Sequence, residues 1–138
     1  MAGINPEVTT EGKLFTAPKQ VTSYHIGLMT TKMAKEAQLA VKFQGQSSFR
    51  YERSQPTGNW SRSIKTRVVA AIGDLKAAEV HDSGIVYGPW LEGVGSRNYP
   101  VTRFKGYSTF RKVRQEIERK APRMLTPDVK AMTKSLEQ

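Results

Sequence analysis

The sequence predicts an α+β fold: a long N-terminal helix packed on a small, mainly antiparallel sheet, with one or two C-terminal helices. Three observations predict it. Apolar residues recur at helical spacing across residues 19–43, two β-like runs flank a Gly73-Asp74 turn signal, and helical spacing returns from Tyr107. The order helix, strands, helix, helix separates this chain from an alternating βαβ sheet. At 138 residues one domain is expected, spanning residues 19–138 behind a flexible N-terminal arm of residues 1–18.

In the arm, Pro6, Thr9, Thr10, Gly12 and Pro18 break any periodicity, and Leu14-Phe15 is its one apolar pair, available to pin the arm to a neighbour. Pro18 then stands where a helix tolerates it. The stripe Val21, Tyr24, His25, Leu28, Met29, Met33, Ala37, Ala40 and Val41 defines the first helix, with Lys32, Lys35, Glu36 and Lys42 largely off it. Gly27 weakens this helix, and Gly45 reads as its stop signal. His25 reads as a packed or capped histidine, because no second ligand is nearby.

Residues 44–63 are polar and punctuated, which predicts a loop, mobile at about 44–56, with Phe49 and Tyr51 as anchors. Ile64–Ile72 and Leu75–Val80 read as a hairpin, with a third strand near Ile85-Val86. Residues 87–105 read as loop-rich. The helix from Tyr107 to Ala121 carries Tyr107, Phe110, Val113 and Ile117 at spacings of 3, 3 and 4. Pro122 is expected to end it, and Thr126-Pro127-Asp128 to start a second, short helix with Val129, Met132 and Leu136 inward.

Composition excludes several functions. There is no cysteine, hence no disulfide scaffold, thiol nucleophile or thiolate metal site, and a reducing compartment fits. His25 and His81 cannot build a structural zinc site alone, so no metal and no cofactor is expected. The start Met-Ala-Gly-Ile-Asn-Pro-Glu has no apolar stretch, and Ala at position 2 lacks the usual myristoylation signal. The longest apolar run, Val68–Ile72, is far too short to span a bilayer. The expectation is a soluble intracellular protein, at least when synthesised, without membrane contact.

Catalysis has little support. Gly93-Val94-Gly95 opens like a dinucleotide fingerprint, but Asn98 stands where its third glycine should be. His81-Asp82-Ser83 holds triad residue types side by side, where neighbours in a strand point to opposite faces; it reads as a turn after a strand. The expectation is a non-enzyme.

The charge is the stronger signal: 22 Lys and Arg against 12 Asp and Glu, net +10. Ten basic residues fall in residues 100–138, and Arg50, Arg53, Arg62, Lys65 and Arg67 form a second group. Arg50, Arg53, Arg103, Lys105, Arg111, Lys112 and Arg114 are the candidate docking or DNA-facing surface. A charge run is usually a solvated face, and the same charge suits an acidic protein ring, so protein docking ranks above specific nucleic-acid recognition. A small basic nucleic-acid-binding protein is the alternative reading of the whole chain.

Two local motifs add to this. Pro56-Thr57-Gly58-Asn59-Trp60-Ser61-Arg62-Ser63-Ile64 runs into the first strand, and Tyr87-Gly88-Pro89-Trp90-Leu91-Glu92-Gly93-Val94-Gly95 follows the hairpin. Thr57-Gly58 sets a turn that aims Trp60 and Ile64 at the core. Tyr87 and Trp90, three apart, fall on one face of a helical turn with Glu92 off it. Their rings are read first as closing the core beneath a loop, and otherwise as subunit contacts.

In these motifs the chain resembles the small neck and tail-completion (head-tail connector) proteins of long-tailed bacteriophages. Thr57, Gly58, Trp60, Ser63 and Ile64 match the family's first stretch, and Tyr87, Trp90, Glu92 and Gly93 (or Gly95) its second, over roughly residues 50–121. One residue is missing between Pro56 and Thr57, Gly88-Pro89 replaces a small residue and its neighbour, and the Pro-rich segment is reduced to Tyr99-Pro100. The resemblance implies a structural virion protein at the head-tail junction, of neck, tail-completion or tail-terminator type. It also implies a homo-oligomeric ring, as a hexamer, contacting neighbouring connector and tail proteins and, non-specifically, genomic DNA in the channel. Leu14, Phe15, Tyr87, Trp90, Glu92 and Arg97 are the candidate subunit interface, with Glu92 and Arg97 as an inter-subunit ion pair.

Overall fold

A computed structural model describes residues 12–48, 57–69, 77–93 and 106–138 of the chain. The elements run α1 (Lys13–Thr16), α2 (Pro18–Ser48), α3 (Asn59–Ser63), β1 (Lys65–Val69), β2 (Ala77–His81), α4 (Gly88–Glu92) and α5 (Thr109–Glu137). The fold is α+β and mostly helical, with one two-stranded antiparallel sheet.

The helix α2 begins at Pro18 and runs straight through Gly45 to Ser48. Gly45 is therefore not a stop. It is buried, and a Cβ there would lie 2.1 Å from Cζ3 of Trp60, so glycine is present to let the indole lie on the helix backbone. The predicted loop accordingly starts later, and residues 49–56, with the anchors Phe49 and Tyr51, lie outside the described residues.

Trp60 is carried by α3, a single turn opened by Gly58 at φ 76°. Residues 59–63, expected as loop, are helical because that left-handed start turns the chain back onto α2. Trp60 and Ile64 then point inward as expected, 6 % and 0 % exposed. With Val41 and Val113 they form the buried core, against which Ala40, Val80, Ile85, Leu91, Phe110 and Ile117 pack. The Trp60 and Phe110 rings meet edge to face with centroids 6.2 Å apart.

Strand β1 runs back along α2: the Gln38 amide donates to the Ile64 carbonyl at 2.8 Å, and Val68 lies beside Tyr24, Leu28 and Thr31. It pairs with β2 in the register Lys65↔His81 to Val69↔Ala77, and Arg67 and Glu79, directly opposite, form an ion pair of 2.5 Å. The Gly73-Asp74 turn lies outside the described residues. No strand forms at Ile85-Val86. Ser83 and Gly84 turn the chain at positive φ, with Asp82 accepting from the Gly84 N–H at 3.1 Å.

The helix α5 is one helix, not two. It contains both Pro122 and Pro127, each of which removes an N–H from the ladder. Both prolines face solvent, so the carbonyls they leave open can be hydrated. Packing antiparallel to α2 holds the helix on either side of them. Lys32 bridges to Asp128 at 2.7 Å and to the Met124 carbonyl at 3.3 Å. Further along, His25 Nε2 meets Ser135 Oγ at 3.1 Å. Ser135 donates its own proton to Ala131, so the histidine donates here. Within the expected arm, residues 13–16 form the short helix α1, which packs on α5 and α2; residues 1–11 lie outside the described residues.

Candidate interaction surface

The second motif builds a joint. Gly88 opens α4 and is buried, and a Cβ on it would lie 1.8 Å from Asp82 Oδ2, so the turn after β2 and the start of α4 share one space. Gly93 closes α4 at φ 85°, donating to the Pro89 carbonyl at 2.9 Å. Gly106 returns at φ 81°, and a Cβ on it would lie 2.3 Å from the Gly93 Cα. Tyr107 then donates its N–H to the Leu91 carbonyl at 2.7 Å.

This brings Glu92 to the first turn of α5. Its two carboxylate oxygens accept from the Phe110 and Arg111 N–H groups at 3.0 and 3.1 Å. Ser108, at the cap position, makes no side-chain cap bond, so Glu92 caps the helix from another element. The Glu92 carboxylate is thus engaged within the chain, and Arg97, expected as its partner across a subunit interface, lies outside the described residues. A Glu next to Gly93 was visible in the sequence; its capping partner, 18 residues on, was not.

Tyr87 and Trp90 do not close the core. They are 42 % and 37 % exposed and lie near Val86, at 75 %. Leu14 is exposed as well, and the Phe15 side chain lies outside the described residues. Further exposed apolar groups, missed from the sequence, lie on α2. Tyr24, Leu28, Leu39 and Phe43 are all exposed, Phe43 at 72 %; they form two apolar pairs, Tyr24–Leu28 and Leu39–Phe43, with Lys32 and Lys35 in the same arc between them. Tyr24 and Leu28 were expected inward; α5 and the hairpin instead occupy the two flanks of α2 that carry Met29, Met33, Ala37 and Val41. Val68 of β1 adjoins Tyr24 and Leu28, every residue of β1 is exposed, and no described strand pairs with its second edge. An apolar helix face beside an open strand edge is the kind of surface that a further chain covers.

The basic candidates divide. Arg50, Arg53, Arg103 and Lys105 lie outside the described residues. Arg111, Lys112 and Arg114 fan over about 160° of α5, and Arg114 is paired with Glu118 at 2.8 Å, which raises the guanidinium pKa. Glu116 pairs with Lys120, whose hydrogen bond holds the carboxyl below its usual range.

Among the described residues no group of three or more His, Cys, Asp or Glu is placed to hold a metal, and no helix is long and apolar enough to cross a membrane. The grooves between β2 and α5 are open and lined by apolar groups with Glu92, Arg111, Arg114 and Glu118, whose carboxylates are the capping and paired ones just described. His81 Nδ1 accepts from the Ser83 N–H at 3.0 Å, and the Ser83 hydroxyl donates to the Ser63 carbonyl at 2.6 Å, so His81-Asp82-Ser83 is spent on holding the turn. Comparison with protein-family models, with curated proteins and with solved structures found no match.

Proposed function

We propose that the chain is a structural virion protein at the head-tail junction of a long-tailed phage, self-associating as a ring that joins head connector to tail. The observation that carries the self-association is the exposed apolar pair Tyr24 and Leu28 beside Val68 and the edge of β1 that no described strand pairs with, with Leu39 and Phe43 exposed further along α2. Tyr87, Trp90 and Val86 supply a second exposed apolar group on a different element. Two different patches suit a head-to-tail contact, in which one surface of each copy meets another surface of the next; such contacts give a ring when the rotation between copies closes and a filament when it does not. The assignment to the neck rests on the resemblance in residues 56–64 and 87–95. Within it Gly58, Trp60, Ile64, Glu92 and Gly93 have structural reasons to be what they are: an opened turn, two core side chains, a helix cap and a helix stop.

The test is to purify virions made by the genome that encodes the chain and label them with gold-tagged antibody. Label at the head-tail junction, in several copies per particle, is the expected result. A chain absent from washed virions overturns the proposal.

A further inference from the structure

The outer face of α5 carries a feature that self-association does not use. At about 100° per residue, Lys112, Arg119, Arg123, Lys130 and Lys134 fall within roughly 60° of one another. They form a single ridge about 33 Å long at a rise of 1.5 Å per residue. All five are exposed, and no ion pair joins any of them to another described residue. Two acids share that arc: Glu116, hydrogen-bonded to Lys120 and also within electrostatic reach of Arg119, and Glu137 at the far end. Another face of α5 packs on α2 through Val113, His25–Ser135 and Lys32–Asp128, which leaves the ridge pointed outward.

We infer that this ridge binds the phosphate backbone of duplex nucleic acid, without reading sequence. The charge is complementary, and about 33 Å matches one turn of B-form duplex. Spacings of 7, 4, 7 and 4 residues set cations about 10.5 and 6 Å apart in alternation, along a partner whose charges repeat every few ångströms. The ridge contains no aromatic or large aliphatic anchor, which a protein-protein contact usually centres on. A lipid surface fits less well: a helix that lies in a membrane interface adds burial of its apolar face to charge attraction, and on α5 that face is covered by α2. The inference does not rest on the ring, since the ridge is complete in one chain.

The test uses the full chain, a fluorescent 20-base-pair duplex, and salt from 50 to 200 mM. Five phosphate contacts predict a slope of log affinity against log salt near −4.5, a loss of roughly 10²- to 10³-fold over that range. The variant Lys112→Gln, Arg119→Gln, Arg123→Gln, Lys130→Gln should weaken binding at 100 mM salt by at least 30-fold and bring the slope to about −1. A charge-matched control, Lys13→Gln, Lys19→Gln, Lys35→Gln, Lys42→Gln, should lose less than threefold. Helical circular dichroism equal to that of the unsubstituted chain qualifies either variant for comparison. Equal losses in the two variants, a wild-type slope shallower than about −2, or tighter binding to polyglutamate or to anionic lipid vesicles than to duplex would each overturn the inference. Duplex binding by a chain that stays monomeric would remove the ring and leave the ridge standing.

Discussion

The two ends of the α2–α5 pair are built differently. At one end Val41, Trp60, Ile64 and Val113 are buried to 6 % exposure or less and locked by close backbone approach at Gly45. At the other end, residues 18–32 of α2 against 124–137 of α5, no described residue is buried. The helices are held there by Lys32–Asp128 and His25–Ser135, with half-buried methionines between, while Tyr24, Leu28 and Val129 face out. The core end holds the whole buried hydrophobic cluster of the described residues. The polar end is a platform whose apolar groups still have surface to bury, and burying it is worth about 25 cal/mol per Å².

The contrast predicts a steep gradient of mutational effect. Gly45→Val should be the most damaging, because the new side chain must displace the Trp60 ring or the helix; a loss above about 3 kcal/mol is expected, read by chemical denaturation. Ile64→Ala leaves a cavity at a fully buried site and should cost about 3 kcal/mol, lowering the melting temperature by roughly 10 °C. Glu92→Ala removes the cap of α5 at its core end and should cost about 1–2 kcal/mol in the same assay. Lys32→Ala, at the polar end, breaks a partly exposed ion pair and should cost at most about 0.5–1 kcal/mol. If Lys32→Ala proved as costly as Ile64→Ala, the two ends would not differ as described.

The same contrast explains what the sequence could and could not reveal. The α+β class, the long first helix, the two antiparallel strands and the inward Trp60 and Ile64 were legible, because periodicity and turn residues are local signals. Gly45 was misread because a glycine that ends a helix and one that admits a ring have the same letter; only the position of Trp60, fifteen residues on, distinguishes them. Pro122 and Pro127 were misread because a local cost was weighed without the packing of α2 that offsets it. Tyr24 and Leu28 were assigned inward because a helix with apolar residues on more than one side does not say which side its own chain covers. Glu92 was recognised as notable, but its role as a cap needed the joint of Gly93 and Gly106 to bring it to α5.

The central claim is that the outward apolar face of α2 is a surface for another copy of this chain. Sedimentation velocity of the full chain at 1–50 μM, beside the double variant Leu28→Glu, Phe43→Glu, tests it most directly. The account predicts a discrete closed oligomer for the unsubstituted chain, and a folded monomer, with unchanged helical circular dichroism, for the variant. A chain that sediments as a monomer throughout that range, or a variant that assembles as well as its parent, would contradict it.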